Sequence, residues 1–175
     1  HLASRRQRQM CIRDRNTFKL LKNLCEETNL KKNIDQYFNG AIINETENRA
    51  VLHTALRSSG NDDVSKTLNE ITNISDEINN AKRLGYNGKK ITDVVNIGIG
   101  GSHLGPEMVT EALKYYGKGI KPHFISNIDP DFTSKLLEDL NPETTLFIIV
   151  SKTFTTIETL ENANKVRAWF INNAS

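Results

Sequence analysis

Apolar positions recur at helical spacing through the first half of the chain and in short β-branched runs through the second. Phe18, Leu21, Leu24 and Cys25, then Leu30, Ile34, Tyr37 and Phe38, predict a helical stretch stopped by Gly40. Ile42 and Ile43 precede a turn at 46–49, and Val51, Leu52, Ala55 and Leu56 predict a short helix ending at Gly60. Asp62 and Asp63 are placed to cap a longer amphipathic helix carrying Val64, Leu68, Ile71, Ile74 and Ile78, expected to run to Leu84 and stop at Gly85.

At Asp93 the period changes. DVVNIGIG is a β-branched run closed by glycines, and Pro106 is expected to open a helical pattern, in a helix carrying Leu104, Met108, Val109, Ala112, Leu113 and Tyr116. A second strand at 122–126 follows, then a helix capped by Asp129 or Asp131 and a third strand at 144–150, expected to be buried on both faces. SKTFTT then leads into a helix with Leu160, Ala163, Val166, Trp169 and Phe170. Strands alternating with helices imply right-handed crossovers. The expected fold is α/β, a doubly wound parallel sheet flanked by helices, incomplete and preceded by a helical N-terminal region. Three strands with open edges are few for such a sheet, so the chain is expected to be a fragment, its helical region packing partly on structure outside it.

The 175 residues suffice for one ordinary domain, and a net charge of +2 makes no case for a general nucleic-acid binder. Charge is unevenly spread. Residues 1–15 hold five arginines against one acid, Asp14, whereas the other 160 residues hold 18 basic and 20 acidic groups. This segment reads either as a basic arm or as a non-native or disordered appendage, and its foreign composition favours the second. Two cysteines, Cys11 and Cys25, make no disulfide framework and no spacing matches a zinc site, so a reducing cytoplasm is expected, with no metal and no cofactor. No apolar run reaches the roughly 18 residues of a membrane span, so no membrane partner is expected.

In an open α/β sheet, chemistry collects beyond the carboxyl ends of the strands. The first loop there, GIGGSHLGP, puts Gly98, Gly100 and Gly101 between strand and helix, where backbone N–H groups and the helix dipole favour an anion. His103 replaces the last glycine of a dinucleotide fingerprint, and Pro106 stands where a phosphate-loop lysine would be. Leu104 stands where a nucleophile elbow needs glycine, so a serine hydrolase is excluded too. The second loop, residues 151–156, offers four hydroxyls and Lys152 to phosphate oxygens. Thr155 and Glu158 also have capping-box spacing, a plain alternative for the hydroxyls. Capping leaves Lys152 unexplained, because its charge opposes the dipole at a helix start and suits an anionic partner.

The segments RAVLHTALR, DVVNIGIGGSHLGPEMVTEAL, HFISNID and NPETTLFIIVSKTFTTIETLENA resemble the N-terminal part of the glucose-6-phosphate isomerase (phosphoglucose isomerase) family over about residues 34–170. The resemblance implies a sugar isomerase subdomain with a five-stranded parallel sheet. Composition and resemblance together divide the chain into a non-native or disordered basic appendage (1–15), a helical N-terminal region (16–90) and the first part of that subdomain (91–175). It further implies interconversion of glucose 6-phosphate and fructose 6-phosphate in glycolysis and gluconeogenesis, with no cofactor and a homodimer when complete. Gly101 and Ser102 are then expected near the sugar phosphate, with Ser151, Lys152, Thr153 and Thr156 holding the phosphate itself. His103 departs from the family's usual Asp, which leaves the helix start open. The family's proton-transferring groups belong to downstream segments, and no residue here is assigned a catalytic role. His53, His103 and His123 read as packed or partly exposed side chains, and Glu158 and Glu161 as capping or solvated charges. The alternative is a non-catalytic sugar-phosphate-binding regulatory module, because fold alone does not separate the two.

Overall fold

A computed structural model describes residues 14–58, 62–117 and 119–174. The arginine-rich segment up to residue 13, Gly60 and Ser175 lie outside the described residues. The chain divides into two compact units, His1–Leu68 and Asn69–Ser175.

In the first unit the expected helical stretch is two helices, α1 (Arg15–Glu27) and α2 (Leu30–Phe38), in contact with each other. The break lies at Thr28 and Asn29. Thr28 Oγ1 donates to the Leu24 carbonyl at 2.7 Å, and Asn29 takes a left-handed conformation with φ 52°, which asparagine tolerates better than most residues. Neither helix buries a residue. Phe18, Leu21 and Leu24 leave half or more of their surface open. The expected short helix is reduced to a 3₁₀ turn, Ala55–Arg57.

Helix α3 (Asp62–Asn79) ends five residues earlier than its apolar spacing predicts. Ala81 adopts φ 54°, and the amides of Lys82 and Arg83 both return to the Glu77 carbonyl, while Arg83 pairs with the Glu77 carboxylate at 2.8 Å. Gly85 is required for another reason: a Cβ there would sit 2.3 Å from the Glu143 carbonyl oxygen.

The second unit holds β1 (Asp93–Ile97), β2 (Lys121–Ile125) and β3 (Thr145–Ile149), all parallel, in the order β2-β1-β3. Helix α4 (Gly101–Leu113) joins β1 to β2 and packs on both. Helix α5 (Pro130–Glu138) leads back across the sheet to β3, and α6 (Ile157–Asn173) packs on α5 and β1. Because the two crossovers run in opposite directions along the sheet, right-handed connections place α4 and α5 on opposite faces. The core lies between the sheet and the α5–α6 layer, built from Val95, Ile97, Ile125, Leu137, Leu140 and Val166, with Phe147 and Trp169 against it. Each such side chain contributes about 1.5–3 kcal/mol by leaving water.

Two expectations fail here. Pro106 lies inside α4, which begins at Gly101. Strand β3 is not buried on both faces: Thr145 is covered, but Ile148 and Ile149 remain 44% and 43% exposed, because β3 is an edge strand in this chain.

Candidate functional site

The direction of the chain reverses between β1, whose crossover leads to β2 on one side, and β3 on the other. Such a switch point leaves a crevice at the carboxyl ends of the strands, because the two outgoing loops diverge. Both motif loops leave from there. Ile97 and Ile149, the last residues of β1 and β3, are register partners, and the Val150 amide donates to the Ile97 carbonyl at 2.8 Å.

Gly98 is buried in the neck between the loops. A Cβ on it would meet Ser102 Cβ at 2.8 Å, the Ser102 carbonyl oxygen at 2.9 Å and the Val150 carbonyl oxygen at 3.0 Å. Gly100, with φ 59° and ψ −124°, occupies backbone space that is essentially reserved for glycine. The amides of Ser102 and His103 close onto the carbonyls of Ile99 and Gly100, so the first turn of α4 satisfies two donors that the glycine pattern offered to an anion. Gly101 is exposed and Ser102 half-buried in that turn, and a Cβ on Gly101 would meet nothing within 4 Å. His103 pairs with Glu107 at 3.2 Å, one turn along α4. The N-cap of this helix is Gly100, so its start has no side-chain cap.

The second loop folds on itself. Ser151 Oγ accepts the Phe154 amide at 3.1 Å and keeps its own O–H to donate. Thr153 and Thr155 share a hydrogen bond at 2.7 Å, and Phe154 sits at φ 54°. Lys152, Thr153 and Thr155 are exposed, with Ser151 and Thr156 half-buried. Thr156 is the N-cap of α6, but no side chain caps that end, so the expected Thr155–Glu158 box does not form. The Thr155 hydroxyl is turned to Thr153 instead. Four hydroxyls, a lysine and a helix N-terminus thus share the same loop region, a donor-rich set for an anion with several oxygens. Beside it opens a cavity of about 490 Å³ lined by apolar side chains including Phe147, Phe154, Leu160 and Phe170.

His123 Nε2 lies 2.8 Å from Asp93 Oδ1, near the amino ends of the strands. Burial raises the Asp93 pKa, but hydrogen bonds from His123 and Thr92 and the charges of His123 and Lys121 outweigh it, leaving the carboxyl below its ordinary value. His53 is exposed in a turn. Among the described residues, no cluster of His, Cys, Asp and Glu could hold a metal, and no helix is long and apolar enough to cross a membrane. Sequence reading missed Asn162, which is buried in α6 and donates to the carbonyls of Ser126 and Asn127 at 3.4 and 3.0 Å. It ties α6 to the loop after β2, a long-range contact with no signature in local spacing.

A family model described as phosphoglucose isomerase matches residues 9–175. The chain is 52% identical over 166 residues to a glucose-6-phosphate isomerase of Christiangramia forsetii, covering 89% of this chain and 31% of the relative. A glucose-6-phosphate isomerase of Aspergillus oryzae is 48% identical over 170 residues, with 90% and 31% covered. The crystal structure of a glucose-6-phosphate isomerase from Chlamydia trachomatis superposes with a TM-score of 0.66 at 31% identity, covering 91% of this chain and 32% of that one. The chain thus spans about 31% of the length of the curated relatives it matches. The strand, glycine-loop and helix order, the parallel sheet and a family match over nearly the whole chain agree: this chain belongs to the phosphoglucose isomerase family.

Proposed function

We propose that these residues form the phosphate-binding wall of an aldose-ketose isomerase that interconverts glucose 6-phosphate and fructose 6-phosphate. The observation that carries this reading is the exit of two anion-friendly loops from neighbouring parallel strands, β1 and β3, at the point where the sheet reverses direction. Ser151, Lys152, Thr153 and Thr156 hold the phosphate dianion, and Gly101 and Ser102 bound the space beside it. Charge-assisted bonds from Lys152 supply most of the attraction, and the hydroxyls fix orientation. No cofactor takes part. The reaction moves a proton between C1 and C2 through an enediol, and the groups that do so belong to the part of the relatives' length beyond these residues. His123 and His103 hold Asp93 and Glu107 instead. Residues 16–90 are a helical region and 91–175 the first part of the sugar isomerase subdomain, in a cytoplasmic protein that is a homodimer at full length.

The test compares the purified 175-residue chain with a polypeptide of the relatives' full length containing it, each freed of host enzyme. The full-length polypeptide should convert glucose 6-phosphate to fructose 6-phosphate and the shorter chain should not. Turnover by the shorter chain would place the proton-transferring groups within it. Phosphate-ester binding without turnover by the full-length polypeptide would mark a regulatory module instead.

A further inference from the structure

We propose that Asn96 is a positioning residue for the phosphate site: its side-chain amide serves the Ser102 carbonyl that Pro106 leaves without a helical donor, and so fixes the first turn of α4. The inference rests on the reading of that turn as one side of the phosphate site. In an α-helix the carbonyl of residue 102 receives the N–H of residue 106. Proline has no N–H, and its ring crowds that carbonyl. Asn96 Nδ2 donates to the Ser102 carbonyl oxygen at 3.0 Å in a half-buried position. The same oxygen lies 2.9 Å from where a Cβ on Gly98 would be. The turn therefore approaches the end of β1 as closely as glycine permits, and the asparagine amide holds it there. Side chains alternate across a strand, so Asn96 faces α4 while Val95 and Ile97 face the core on the other side. Removing the amide leaves a half-buried carbonyl unpaired, and the turn that carries Gly101 and Ser102 loses its anchor.

The experiment uses the full-length polypeptide and three variants, Asn96→Leu, Pro106→Ala and the double, with KM for fructose 6-phosphate, kcat and the thermal midpoint measured for each. Pro106→Ala restores the missing donor. Asn96→Leu should raise KM about five- to tenfold with kcat within about twofold, the size expected for one unpaired carbonyl acting through geometry. The double variant should return KM to within about twofold of the parent, because the new N–H replaces the amide. If Asn96→Leu fails to fold, recovery of folded protein in the double variant is the supporting result. A double variant as defective as Asn96→Leu, by KM or by folding, overturns the proposal. So does an Asn96→Leu variant whose thermal midpoint falls while KM stays unchanged, because the amide would then only stabilise. Lys152→Met measured alongside separates the two readings: an unchanged KM there counts against the phosphate site, whereas the rescue reports on the Asn96 contact alone.

Discussion

Gly98 shows how one residue type can be dictated by neighbours rather than by backbone conformation. Three atoms of Ser102 and Val150 would lie within 3.0 Å of any Cβ placed on it. Gly98→Ala should therefore destabilise the full-length protein by about 1–3 kcal/mol, as overpacking does in a filled core. It should also weaken phosphate-ester binding, because relief requires α4 or the β3 exit to move. Urea unfolding and a binding titration check both, and an alanine variant matching the parent in each would contradict the described neck. Asp93 carries a pH dependence. Its folded-state pKa is held below the ordinary value despite burial, so its contribution to stability is complete above the unfolded value of about 3.9 and is lost as pH falls through the lower folded one. Acid unfolding followed on the full-length protein should become less steep below about pH 4 in Asp93→Asn. Identical slopes would remove the His123–Asp93 pair as a source of acid sensitivity. The glycine loop is legible in the sequence because glycines clustered directly after a β-branched run mark a tight strand-to-helix turn. The Asp93–His123 pair is not, since it joins positions 30 residues apart.

Helix starts and stops show what local pattern captures and where packing overrides it. Of the two caps that the sequence offers, Asp129 is the one used: its Oδ1 accepts the amides of Asp131 and Phe132, both at 3.0 Å, with Pro130 at the first helical position. Asp129→Ala should cost about 1 kcal/mol, read as a lower denaturation midpoint with an unchanged slope. No change would mean that water replaces the cap without loss. The start of α4 departs from the local pattern because proline usually marks a first helical turn. Here it sits inside the helix, and Asn96 serves the carbonyl left over. The end of α3 departs from it because apolar spacing continues to Leu84 while the Ala81 turn and the Glu77–Arg83 pair stop the helix at Asn79. The capping box at Thr155 fails because the hydroxyl finds a nearer partner in Thr153.

At the scale of the whole molecule, exposed apolar surface and length point the same way. Phe18, Leu21 and Leu24 on α1, Ile34 and Phe38 on α2, and Ile148 and Ile149 on β3 all stay substantially open. The chain covers only about 31% of the length of its relatives. In the full-length polypeptide these side chains should be covered. Hydroxyl-radical footprinting should label Phe18 and Phe38 several-fold less there than in the shorter chain, and equal labelling would count against packing on further structure. Fold class is legible from the alternation of strand and helix patterns alone. The donor geometry of the second loop is not, because Ser151 and Thr153 are partly engaged by contacts inside the loop that residue spacing does not reveal. The central claim, that the 151–156 loop grips the phosphate with Lys152 as its charged donor, is tested most directly by calorimetric binding of glucitol 6-phosphate, which has the phosphate but no carbonyl to react. With the full-length polypeptide, Lys152→Met should weaken binding by about 1.5–3 kcal/mol, roughly 10- to 150-fold, and Thr153→Val by about 1 kcal/mol, roughly fivefold. Unchanged affinity in Lys152→Met alongside a tenfold loss in Thr153→Val would contradict the account.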